Sequence, residues 1–310
     1  MEQTNLTVVK YFVIKGISDA PNMQTPIFLL VLLLYLIIIS GNSTIVLLIY
    51  TDSKLHTPMY FFLGNLSLLD MSASTVALHK TLTNFISSDN SISFPACIGQ
   101  FYSFASLAAD QLLILAAMSY DRYVAIYNPL RYQIIMNYRV CTLLASVCWL
   151  LGFIEFIPYV ILLTRVSCYR SNVINHFYCD IVPILNIACS DISALKSLIF
   201  TEGMFATIFS PFFLTLISYI FIIITILRIN SKTGRRKAFY TCSSHLTVVI
   251  ILYTTLTIQY LTPNATDTLD SNKLFSLLNT ATVPILNPLI YSWKNKDVKS
   301  ALRRKLKCVL

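Results

Sequence analysis

Asp121 and Arg122 stand side by side at the end of a long apolar run, in the stretch AAMSYDRYVAIYNPLRY (residues 116–132). A carboxylate beside a guanidinium can close into a charge-assisted pair or open toward other partners, so this dipeptide can serve a two-state device. The other residues able to do chemistry are scattered. His176-x-x-Cys179-Asp180 offers three metal-ligand types, but an oxidised Cys179 cannot ligate as a thiolate, and too few groups then remain for a zinc site. Ser243, Ser244 and His245 are adjacent, yet no acid accompanies them to orient the histidine, which argues against a hydrolase. Asp70, Asp110 and Glu155 lie inside apolar stretches, where an ionisable side chain is costly and marks a functional position. Glu155 has no evident partner in the sequence.

The elements that must position these residues follow from composition. The chain has 310 residues, 56% of them hydrophobic and only 12% charged. Soluble domains carry about twice that charge, roughly 25%. A bilayer span needs about 20 apolar residues, and seven stretches qualify: about 26–50, 58–80, 98–120, 141–163, 198–227, 239–261 and 274–293. Backbone polar groups in lipid must be satisfied within each segment, so the expected fold is an all-α membrane protein, a seven-transmembrane helix bundle. The stretch NKDVKSALRRKL after the last span places Val298, Leu302 and Leu306 on one face, which predicts a short amphipathic eighth helix on the membrane surface. The organisation expected is an extracellular tail over 1–25, the transmembrane domain over 26–293, and a cytoplasmic helix and tail over 294–310. There is no internal repeat of the kind many transporters show.

Charge placement sets the orientation. Sixteen of the 23 Lys and Arg fall in the segments around 51–57, 121–140 and 228–238 and in the tail from 294. Positive charge is retained on the cytoplasmic side, so the N-terminus is expected outside and the C-terminus inside, at the plasma membrane. The same interruption by spans excludes nucleic acid as the partner of the net charge of +9. The N-terminus lacks a basic start followed by an apolar core, so the first span is expected to act as the insertion signal. Asn5-Leu6-Thr7 is a glycosylation sequon on the outward tail. Cys97, Cys168, Cys179 and Cys189 fall on the oxidising side, and their spacing leaves three pairings open.

With the topology in place, the motifs align with a known family. MSYDRYVAIYNPLRY resembles the end of the third helix of an olfactory receptor, within the rhodopsin-like G-protein-coupled receptors. The resemblance extends over nearly the whole chain: GN at 41–42, KLHTPMYFFLGNLSLLD at 54–70, HFYCD at 176–180, KAFYTCSSHLTVV at 237–249 and PILNPLIYSWKNKDVKSAL at 284–302. It implies disulfides Cys97–Cys179 and Cys168–Cys189. It also implies a receptor rather than an enzyme, with a small-molecule odorant, a heterotrimeric G protein and the lipid bilayer as partners and no metal site. The runner-up is a receptor of the same family for a metabolite outside the olfactory epithelium.

The resemblance assigns roles to residues. Asp121, Arg122, Tyr123, Tyr219, Asn287, Pro288 and Tyr291 would form the activation switch, with Arg122 reaching toward Tyr219 and Tyr291 in one state. Asn42, Asp70 and Gln111 would form a polar core; no resident cofactor is expected, a sodium ion beside Asp70 being the one candidate. Olfactory receptors commonly carry an acid where this chain has Gln111. The ligand would lie among Phe101, Phe104, Ala105, Ala108, Met204, Thr207, Tyr253, Leu256, Tyr260 and Thr280. Those on the third span recur at three- and four-residue spacing, hence on one helix face. The pocket lacks an obvious acid facing Phe104, so neutral, apolar odorants fit better than charged amines. Pro211 and Pro288 each remove a helix hydrogen bond and predict kinks.

Overall fold

The computed structural model describes residues 9–18, 20–87, 89–261, 269–294 and 296–309. Seven long helices form the bundle: α1 (Pro21–Thr51), α2 (Pro58–Ser87), α3 (Phe94–Tyr127), α4 (Tyr138–Thr164), α5 (Ser193–Leu227), α6 (Lys232–Leu261) and α7 (Leu269–Lys294). A short helix, α8 (Lys296–Val309), follows. The helices run past the apolar windows at both ends. At 1.5 Å per residue α1 is about 46 Å long, against a hydrocarbon core of about 30 Å, so its ends protrude into the headgroups.

Six of the seven are apolar along a window long enough to cross a membrane. In α7 the apolar stretch is shorter, Phe275–Ile290. Its inward side carries the buried Ser276, Thr280 and Asn287, which lowers its hydropathy without shortening the helix. Polar groups turn inward throughout: Asn42, Asp70, Ser106, Asp110 and Asn287 are buried, while Leu29, Leu33, Leu36, Leu150, Phe213 and Ile217 are exposed toward the lipid side. That inversion of the soluble pattern is what a hydrocarbon solvent requires. α3 packs against α2, α4 and α5 and is the central helix; α1 packs on α2 and α7, and α6 on α7.

Prolines reset the helices. α4 breaks at Phe156, and Pro158 enters the first turn of the continuation Ile157–Thr164, where a missing N–H costs nothing. The stretch Ile199–Phe209 of α5 is π-helical, and regular α structure resumes at Ser210 with Pro211 in its first turn. The expected disturbance at Pro211 is therefore a change of helix type upstream of it.

One mouth of the bundle, the end at which β1 lies, is covered. β1 (Tyr11–Ile14) lies between β2 (Ser91–Ser93), antiparallel to it, and β3 (Val173–Ile174), parallel to it. The buried Phe12 of β1 packs against Phe94 and Tyr169. Disulfides join Cys97 at the top of α3 to Cys179, and Cys168 to Cys189 within the long loop. Between them a loop helix (Ile181–Ile187) starts at Asp180, whose Oδ1 accepts from the Ile181 N–H at 2.7 Å. On the opposite side α8 docks through Val298 and Ala301, both buried, while Leu302 is partly exposed; the docked face is rotated from the expected one. Arg304 of α8 bonds Asp52 Oδ2 through Nε at 3.1 Å. That pairing holds the Asp52 carboxyl below its usual range.

Candidate functional site

A cavity of about 220 Å³ opens in the half of the bundle nearest the covered mouth. Phe101, Phe104, Ala105 and Ala108 of α3 form one wall, the small alanines leaving the room beside Phe104. Met204 and Thr207 enter from the π-helical part of α5, Leu256 from α6 and Thr280 from α7. An extra residue per turn re-aims the side chains of a π segment, which is why such segments gather at functional sites. Sequence reasoning did not find Phe156 and Tyr159 of α4, Asn279 of α7, or Asp180, Ile181 and Val182 of the long loop, all of which line the cavity. The loop reaches it because Cys179, next to Asp180, is tied to α3.

Tyr253 is not in the wall. Leu252 and Leu256, four apart on α6, face the cavity. Tyr253 is turned about 100° from Leu252 and its ring meets Phe212 of α5 edge-on at 5.1 Å. The side chains of Tyr260 and Tyr291, and Asn5, lie outside the described residues.

His176 ties the covering loop to α7. Its Nε2 lies 3.2 Å from Ser276 Oγ and its Nδ1 3.2 Å from the Tyr178 carbonyl. With both ring nitrogens engaged and Cys179 in a disulfide, the HFYCD stretch acts as a clasp. Burial pushes the His176 ring down to about 4 and the Asp180 carboxyl up to about 6.

Below the cavity lies the polar core. Asp70 accepts from Gln111 Nε2 at 2.9 Å and from Asn287 Nδ2 at 2.6 Å. Asn42 does not join them. Its Nδ2 donates to the Pro284 carbonyl at 2.9 Å. The reason is the second proline: Pro288 has no N–H to offer the carbonyl four residues back, and Asn42 of α1 supplies the donor. Pro284 likewise frees the Thr280 carbonyl, and Ser74 Oγ of α2 reaches it at 3.4 Å. Two prolines in α7 thus open two carbonyls, and two neighbouring helices close them. Asp110 points away from Asp70, toward Gly152 of α4; a Cβ there would lie 2.7 Å from Asp110 Cγ and 2.9 Å from the Ser106 carbonyl. Glu155, without a partner in the sequence reading, receives the Thr207 hydroxyl.

At the opposite end of α3 Arg122 is closed on Asp121, with Nε to Oδ2 at 3.0 Å, and Tyr132 donates to Asp121 Oδ1 at 2.7 Å. Arg122 is not joined to Tyr219. Tyr219 Oη instead lies 2.7 Å from His245 Nδ1 on α6. Tyr123 stacks on Tyr127 and packs against Phe221 of α5.

This arrangement, a ligand-sized cavity above a polar core and a closed Asp-Arg pair, has relatives. The family model described as olfactory receptor matches residues 31–308. Olfactory receptor 5G9 of Mus musculus is 46% identical over 304 residues, covering 98% of this chain and 96% of the relative. Olfactory receptor 6C1 of Homo sapiens is 46% identical over 297 residues, covering 96% and 95%. The chain belongs to the olfactory receptor family. Squid rhodopsin superposes with a TM-score of 0.69 at 17% identity, covering 93% of this chain and 87% of that one, which establishes the shared seven-helix fold. An olfactory receptor is a G-protein-coupled receptor and not an enzyme, and this receptor is a multi-pass membrane protein.

Proposed function

We propose that this receptor binds small, mostly neutral, apolar odorants in the outer cavity and activates a stimulatory olfactory-type G protein, raising cyclic AMP. The observation that carries the reading is the cavity itself: aromatic and alanine walls from α3, a few polar groups, and a disulfide-anchored loop over it. Pockets of that make suit small apolar ligands. The carboxyl in the wall, Asp180, caps the loop helix, which supports a neutral ligand over a cationic one. The Lys and Arg asymmetry supports an outward N-terminus and a cytosolic C-terminus.

Arg122 closed on Asp121 fits a resting state, and opening of that pair is the proposed output step. The Asp70 cluster is proposed to work as a hydrogen-bond hub. Each of its oxygens accepts from an amide, and Gln111 brings no second carboxylate, which supports a hydrogen-bond hub over a sodium site.

The test is a cyclic-AMP reporter in cells displaying the tagged receptor, challenged with an odorant panel. Ala108→Phe, which fills the cavity, should weaken responses at least about fivefold, the scale of overpacking a site by 1–3 kcal/mol. Arg122→Ala should abolish signalling at unchanged surface expression. An intact Arg122→Ala response would overturn the switch role, and an intact Ala108→Phe response would overturn the pocket.

A further inference from the structure

The hydroxyls of the cavity wall spend their protons on the protein. Thr280 Oγ1 donates to the Ser276 carbonyl at 2.8 Å, and Tyr159 Oη donates to the Leu198 carbonyl at 3.2 Å. Thr207 Oγ1 donates to Glu155 Oε1. Gln111 gives one of its two Nε2 protons to Asp70 at 2.9 Å, Asn279 Oδ1 accepts from Thr255 at 2.9 Å, and Asp180 accepts from a backbone N–H. A hydroxyl has one proton and two lone pairs. Once the proton is committed, each of these three hydroxyls has lone pairs to show a ligand and no proton.

Thr207 is the telling residue. Thr44, Thr75, Thr257 and Thr280 donate to the carbonyl four residues back in their own helices. That local bond satisfies a threonine in lipid at no further cost. Thr207, in the π-helical stretch, donates across to α4 instead, and the acceptor is a carboxyl placed inside a membrane span. An acid there is an expensive way to hold one hydroxyl, so its effect on Thr207 is the function to look for. Glu155 does not itself line the cavity; it acts through Thr207 as a positioning residue.

We propose that the cavity selects ligands carrying a hydrogen-bond donor, hydroxyl compounds first, over ketone and ether counterparts of the same skeleton, with Thr207 Oγ1 as the receiving atom because Glu155 holds its proton. This rests on the odorant reading above and names the ligand class of that site. At Thr207 a ketone or ether oxygen would arrive opposite lone pairs and find no proton, which is penalised. An alcohol delivers its proton to Thr207.

The experiment compares medium-chain alcohols with their ketone and methyl-ether counterparts in the cyclic-AMP reporter, with surface expression measured in parallel. Alcohols should be more potent by about three- to tenfold, the factor one neutral hydrogen bond supports. Thr207→Val keeps the shape and removes the acceptor, so the three classes should become equipotent. Glu155→Gln retains the acceptor for Thr207 and should preserve the preference, whereas Glu155→Leu frees the Thr207 proton and should shift potency toward ketones. A purely structural Glu155 would weaken all three classes together. Equal or greater ketone potency in the unaltered receptor, or a preference that survives Thr207→Val, overturns the proposal and leaves the odorant reading standing. A displayed receptor that answers no class, or answers every class equally with Ala108→Phe in place, overturns the odorant reading and the proposal with it.

Discussion

Replacing Asn42 by Ala tests the argument that α1 completes α7. The Pro284 carbonyl has lost its helix partner to Pro288 and is served by Asn42 Nδ2 at 2.9 Å; the same nitrogen also reaches the Ile38 carbonyl at 3.0 Å. Asn42 is fully buried, so no water replaces it. An orphaned buried carbonyl costs about 1–3 kcal/mol, and Asn42→Ala should lower the receptor's apparent unfolding midpoint in detergent accordingly. The rescue is specific. Pro288→Ala restores an N–H to the α7 ladder at the position that faces the Pro284 carbonyl. In the Pro288→Ala background, Asn42→Ala should cost about 0.5–1.5 kcal/mol less than it does alone, the net worth of one hydrogen bond. The readout is stability, since Pro288 belongs to the proposed switch and its loss alters signalling by itself. Equal costs of Asn42→Ala in the two backgrounds would refute the reasoning.

Gly152→Ala should destabilise the α3–α4 contact by about 1–3 kcal/mol, because the new methyl would lie 2.9 Å from the Ser106 backbone carbonyl, which cannot swing aside; an unchanged midpoint and unchanged surface expression would contradict this. The clasp at the mouth carries an acid sensitivity of worked sign. His176 is lowered from 6.5 to about 4 by burial, so its share of stability is complete above pH 6.5 and lost as the pH falls toward 4. Asp180 is raised from 3.8 to about 6, so its share is complete below 3.8 and lost as the pH rises through 6. His176→Asn removes the first and leaves the second, so unfolding midpoints should show the variant gaining on the unaltered receptor from pH 6.5 to 4; a pH-independent difference would show that the ring is not held neutral by the fold.

One wall of the cavity was legible because helical spacing is a local property. Phe101, Phe104, Ala105 and Ala108 share a face by arithmetic on 3.6 residues per turn, and that face lines the cavity. The same arithmetic missed Tyr253, since it orders residues around one helix and does not say which neighbour each meets; the position of Phe212 decided that. Asp180, Ile181 and Val182 were missed because a loop's approach depends on what anchors it, and the anchor is a disulfide whose pairing the spacing alone left open. The HFYCD stretch did hold a signal, since residues beside a cysteine bonded to α3 must lie near α3.

The sequence by itself determined the solvent and the number of long helices: seven apolar stretches fix helices, and the basic segments between them favour one orientation. The tertiary structure decided the partners of the polar groups. Asn42 serves a carbonyl opened by a proline 246 residues later, Glu155 takes the Thr207 proton, and Arg122 stays on Asp121. Hydrogen bonds are short and directional, so which donor meets which acceptor depends on how the helices are turned against one another, and no periodicity along a single helix carries that information.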